Sequence, residues 1–129
     1  RQKPKGEAKN ARYSRQAREL AILASLPEME YERERGTAAK RLGCRANVLD
    51  KLVYEIRSKV TKLKSENACK PGWKVCPDFI GLHVNWHISG RDIDVFVASA
   101  VSDNEGNIHV VVVLADGNGT AWDGTISRE

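Results

Sequence analysis

Apolar residues recur at helical spacing through the first half of the chain and at strand spacing through the second. Tyr13, Ala17, Leu20, Leu23 and Ala24 fall three and four positions apart, with Arg12, Arg15, Arg18 and Glu19 polar between them, which predicts a helix from about residue 12. Pro27 ends it or opens the next, and Ser25 followed three residues on by Glu28 has the form of a capping box. Residues 28–43 predict a second helix with a thin apolar stripe of Tyr31, Ala38, Ala39 and Leu42. Gly43 stops it, because glycine takes the left-handed conformation at little cost. Asn47 is then a good N-cap, with Asp50 placed to favour the positive helix end. Leu49, Leu52, Val53, Ile56, Val60 and Leu63 carry the third helix to about residue 64.

Beyond a turn-rich stretch at 65–78 the period changes to two, with strand-like segments at 79–89, 93–101, 108–115 and 120–127. SGRD, SDNEGN and DGNG between them are turn chemistry, and connections this short predict an antiparallel meander. Val110 to Leu114 is apolar at every position, as in a central strand covered on both faces. The fold class expected is therefore α+β, an N-terminal three-helix helix-turn-helix unit followed by a small antiparallel β meander. The organisation expected is a flexible basic arm at 1–11, a helical unit at 12–64, a linker at 65–72 and an acidic β unit at 73–129.

Charge sharpens this division. The 129 residues carry a net +4, but residues 1–68 hold 17 Lys/Arg against 9 Asp/Glu and residues 69–129 hold 4 against 8. A basic half and an acidic half suggest different tasks. No apolar run approaches a membrane span, and no apolar segment follows the basic N-terminus as in a secretory signal. Three cysteines make a poor disulfide framework, so free thiols in a cytoplasmic setting are expected. The chain opens on Arg1 rather than Met, as a piece of a longer protein would.

The informative segment is RGTAAKRLGCRANVLDKLVY, residues 35–54. Ala39 is small where two helices cross, Gly43 permits a sharp turn, and Leu49 and Leu52 face inward against Leu42 and Ala38. That is helix-turn-helix spacing, whose second helix can enter a major groove. Arg45, Asn47, Val48 and Lys51 then project from the exposed start of the reading helix, with Asp50 and Glu55 diluting its charge. Arg and Asn suit paired contacts with guanine and adenine edges. Lys40 and Arg41, with Lys3, Lys5, Lys9, Arg12, Arg15 and Arg18, are the candidate phosphate contacts. The acids Glu28, Glu30, Glu32 and Glu34 would have to point away from a duplex. An ordinary three-helix bundle that docks a protein fits the same spacing.

Residues 26–53, LPEMEYERERGTAAKRLGCRANVLDKLV, resemble a short helical module of primase–helicase and related replication proteins of phages, plasmids and bacteria. Tyr31, Arg33, Arg35, Ala39, Leu42, Gly43, Val48, Leu49, Asp50 and Val53 carry the resemblance, which covers about residues 20–60. It implies nucleic-acid processing as context and no catalytic activity. No phosphate-binding Gly-rich loop with Lys-Ser/Thr occurs in the sequence.

Cys69, Cys76, His83 and His87 invite a zinc reading, but the cysteine spacing is unusual and strand histidines four apart lie about 13 Å from each other. No metal or cofactor is expected. Asp92, Asp94, Asp116 and Asp123 could hold Mg²⁺ for a nuclease, yet turns call for Asp as well, and no general base accompanies them. Trp73, Trp86 and Trp122 suit base stacking or a small core, and the core is expected for at least two. The function expected is a non-enzymatic double-stranded-DNA-binding protein, a transcription regulator or replication accessory, with the β unit free to form a homodimer and no membrane contact. The alternatives are a protein-interaction adaptor and a metal-dependent nuclease.

Overall fold

The computed structural model describes residues 5–67, 69–88, 90–115 and 119–126, and of residues 5–12, 88 and 91 only the backbone. Three helices, α1 (Lys5–Ser25), α2 (Glu28–Leu42) and α3 (Ala46–Asn67), precede a five-stranded antiparallel sheet. The strands are β1 (Lys74–Val75), β2 (His83–Ile88), β3 (Arg91–Ser102), β4 (Ile108–Leu114) and β5 (Ala121–Ile126), with one 3₁₀ turn at Pro77–Phe79. β3 takes β1 and β2 along one edge and β4 along the other, and β5 follows β4. The fold class is α+β, with the helices first and the meander second, and β4 is buried from Val110 to Leu114 as its unbroken apolar run demands.

The two halves share one core. Ala17, Leu20, Ala21 and Ala24 of α1, and Leu49, Val53, Ile56 and Val60 of α3, pack in one buried cluster with Phe96, Ala98, Val111 and Val113 of the sheet. α1 lies mainly on β3, and alanines at 21 and 98, both fully buried, let helix and strand approach closely. α2 rests on α1 and α3 from outside, through Tyr31, Ala38 and Ala39. The expected division into a helical unit at 12–64 and a β unit at 73–129 is therefore corrected: the composition changes at the surface, while the core runs through both. The flexible arm expected at 1–11 is also corrected, because α1 is helical from Lys5. Residues 1–4 lie outside the described residues.

Among the described residues no α-helix covers the other face of the sheet, yet Val95, Val97, Val110 and Val112 are at most 1% exposed. It is covered by curling. A Cβ on Gly124 of β5 would lie 2.5 Å from the Trp86 ring of β2. In a flat sheet these strands stand three spacings of about 4.8 Å apart, beyond the comfortable reach of one side chain. The sheet bends so that Trp86 spans the interior, joined there by Phe79, Val84 and Ile126. A bulge between Val97 and Ser99 shifts the β3–β4 register and accentuates the bend. Trp86 thus packs on the core, but the expectation of at least two core tryptophans is corrected: Trp73 is half-buried outside both clusters, and Trp122 is 46% exposed.

Two outcomes follow. Residues 1–68 alone should show no cooperative thermal transition by circular dichroism, because the α1 and α3 faces that bury Leu20 and Ile56 lose the sheet. Gly124→Val should destabilise the full chain by about 1–3 kcal/mol in urea titration, as overpacking against the Trp86 ring.

Candidate nucleic-acid interface

The helix pair is built around the three residues between α2 and α3. Gly43 stands at φ 70° and donates its N–H to the Lys40 carbonyl, while the Cys44 N–H reaches back to Ala39. This Schellman arrangement satisfies the last carbonyls of α2 and turns the chain sharply. The Arg45 carbonyl then accepts from the N–H groups of both Val48 and Leu49, so α3 begins at Ala46. Asn47 therefore lies inside the first turn, and its expected N-cap role is corrected. The expected capping box is absent as well. The Ser25 hydroxyl donates to the Ile22 carbonyl within α1, and α2 starts at Glu28 with Pro27 at its N-cap and no side-chain cap.

A polar clamp fixes the two helices. The Asp50 carboxylate receives the Arg35 guanidinium through Nε at 2.8 Å and Nη2 at 2.8 Å, and the Tyr31 hydroxyl at 2.7 Å. Arg57 lies over the Tyr31 ring, 5.1 Å from its centroid, and donates to the Leu26 carbonyl. The Arg35 hydrogen bonds hold the Asp50 carboxyl below the usual carboxylate range. Burial, then the Asp50 hydrogen bond, push the Tyr31 phenol up. Asp50 thus faces α2 and is neutralised there. Sequence reasoning placed it among the projecting residues; the only signal for the clamp was that Tyr31, Arg35 and Asp50 all stand in the resemblance pattern.

Arg45, Asn47, Val48 and Lys51 are all exposed, in a row continued by Tyr54, Glu55 and Ser58 along α3. Lys40 is exposed at the end of α2. Arg41 is bonded to Glu19 of α1 at 2.6 Å, and Arg15 shares a surface groove with Arg41 and Gly43. Arg18 is not part of this grouping, since its guanidinium lies beside Gly81, ahead of β2. Lys5, Lys9 and Arg12 stand on the α1 backbone, with side chains outside the described residues, as is Lys3 altogether. The four acids Glu28, Glu30, Glu32 and Glu34 are exposed on the first half of α2 with Arg33 exposed among them, whereas Lys40 and Arg41 stand in its last turn and Arg45 follows in the connection. At about 1.5 Å of rise per residue, Glu30 and Lys40 stand about 15 Å apart along the axis.

The other candidate chemistry does not converge. Among the described residues no group of three or more His, Cys, Asp and Glu is placed to share a metal ion. Cys44, Cys69 and Cys76 are unpaired. His83 bonds Asp94 and His87 bonds Asp92, at 2.8 and 2.9 Å, across the β2–β3 ladder. Asp123 pairs with Lys59 at 3.8 Å, and Asp116 lies outside the described residues. Sequence reasoning missed a third histidine pair. His109 bonds Asp103 through Nε2 at 3.0 Å and Thr125 through Nδ1 at 3.2 Å, and stacks on Trp73 at 4.8 Å. The His109 bond, with backbone N–H groups of Glu105 and Asn107, brings the Asp103 carboxyl down to about 2. Among the described residues no helix is long and apolar enough to cross a membrane. Comparisons with protein-family models, with curated proteins and with solved structures find no match.

Asp50→Ala should cost about 1 kcal/mol, since solvent reaches both sides of the ion pair. Asp50 and Asp103 are both acidic below the ordinary 3.8. The Asp103 contribution is therefore present above the ordinary 3.8 and is lost as pH falls to about 2, and the Asp50 contribution is lost as pH falls below 3.8 through its lowered value. Acid unfolding followed by fluorescence should show a shallower loss in that window for Asp103→Asn than for the parent chain.

Proposed function

We propose that this chain is a non-enzymatic protein that binds duplex DNA, a transcription regulator or replication accessory, with the start of α3 in the major groove. The observation that carries this reading is the disposal of Asp50. With that carboxylate held by Arg35 and Tyr31, the leading exposed residues of the helix pair are Lys40, Arg45, Asn47, Val48 and Lys51. The three-residue turn ending α2 at a left-handed glycine is the connection such a unit uses. The acids on α2 occupy its first half, Glu28 to Glu34, ahead of Lys40 and the turn. Arg15 is placed to extend the contact from α1, and free thiols suit a cytoplasmic protein. A second reading, an adaptor that docks a protein, is favoured by Met29 and Tyr54, which are 73% and 72% exposed on the same helix pair.

Duplex titration across ionic strength separates the two. Because Asn47 caps nothing, Asn47→Ala should leave stability nearly unchanged while costing about 1–3 kcal/mol on a preferred site and little on random DNA. Replacing Arg15 and Lys40 together by Ala should weaken all sequences alike and flatten the dependence of log affinity on log salt by about two phosphate contacts. Absence of duplex binding at low salt by the folded full chain would end the DNA reading and favour the adaptor.

A further inference from the structure

Behind the helix-turn-helix turn lies a cavity of about 150 Å³, lined by Tyr13, Gln16, Ala17, Leu20, Leu42, Cys44, Leu52, Leu114 and Gly119. Its walls belong to different parts of the fold. Leu42 ends α2, Cys44 is in the turn and Leu52 is on α3, whereas Ala17 and Leu20 are on α1 and Leu114 closes β4. Ala17, Leu20, Leu114 and Gly119 form its buried floor, and the half-buried Tyr13, Gln16, Leu42, Cys44 and Leu52 surround its mouth. Gly119 closes one side with so little clearance that a Cβ there would meet Leu52 at 2.8 Å.

Size and lining set the chemistry of an occupant. Leucines contribute four of the nine walls, and Tyr13, Gln16 and Cys44 bring polar atoms to its mouth. A pocket of about 150 Å³ has room for a benzene-sized molecule, and small-molecule pockets pair an apolar lining with a few polar groups that orient the ligand. Tyr13 and Gln16 supply those groups here. We infer that the cavity binds a small molecule with one aromatic ring and one polar substituent. Such a ligand touches the reading pair on one side and the α1–sheet body on the other, so its occupancy sets how the pair is held. That regulatory half rests on the proposed DNA-binding function; the binding half does not.

Phenol is a suitable probe, used with the full chain carrying Cys69→Ser and Cys76→Ala so that Cys44 is the sole thiol. Millimolar phenol should raise the melting temperature and slow Cys44 labelling by a thiol reagent, both saturably. Ala17→Leu, which fills the cavity, should abolish both effects while the chain stays folded by circular dichroism, and Leu20→Phe serves if Ala17→Leu does not fold. Labelling unchanged by phenol, or slowed equally in the filled variant, overturns the inference. Duplex affinity measured with and without phenol should then differ within the range of ordinary coupling, about 5–150-fold. Phenol binding with unchanged duplex affinity overturns the regulatory half alone. Phenol binding in a chain that never binds duplex overturns the DNA function and leaves the cavity's ligand in place.

Discussion

Everything in this molecule depends on one buried layer, the contact of α1 and α3 with the outer face of the curled sheet. The helices alone cover Leu20, Ala21, Leu49 and Ile56 only in part, and the sheet alone leaves Phe96, Ala98, Val111 and Val113 without the helices they pack against. Each half closes the other, at roughly 1.5–3 kcal/mol for each large side chain fully withdrawn from water. The alanines in this layer matter as much as the large residues, because they set the distance at which a helix can lie on a strand. The opposite face solves its own burial by bending until Trp86 reaches Gly124. One apolar face uses a partner layer and the other uses curvature.

On this base the helix pair needs little apolar area of its own. α2 contributes few large buried side chains, Tyr31 among them, and it is held largely by polar geometry: a Schellman turn at Gly43 and the carboxylate of Asp50 between Arg35 and Tyr31. The ion pair is partly solvated and modest in energy, but it orients. It fixes α2 against α3 and removes one negative charge from the outward surface of α3. Charge along α2 runs from acidic to basic in the direction that also suits its dipole, so the same arrangement that steadies the helix leaves the turn positive.

Much of the fold was legible from spacing. The apolar repeats in α2 and α3, the glycine that ends α2, and the alternation and turn chemistry of the meander all carry local physical signals. Other features have no local signal. The charge asymmetry suggested two units, but charge reports the surface, and only the buried faces tell which elements share a core. Lys5 to Ala11 lacks apolar periodicity and so looked irregular, although Ala, Lys and Glu favour helix where nothing opposes it. Asn47 has the chemistry of a cap, yet the carbonyl of Arg45 had already opened the helix. The site residues at the turn, Lys40, Arg45, Asn47, Val48 and Lys51, come out on one exposed end as their positions suggested, whereas Arg18 is turned toward Gly81. The clamp and the His109 pairing join residues too far apart in sequence for spacing to show them.

The partnership of α1 with β3 has a further consequence, for synthesis. During translation α1 leaves the ribosome before α2 and α3 and well before β3, the strand that covers it. At about 5–20 residues per second, the apolar side of α1 waits several seconds for its cover. α3 arrives earlier and can shield part of α1, since the two helices touch. The α2–α3 turn, closed by neighbours in sequence, can form at once. The nascent chain therefore passes through a stage in which the helix pair is shaped but its base is unfinished, and a chaperone that grips exposed apolar helices would find α1 at that stage.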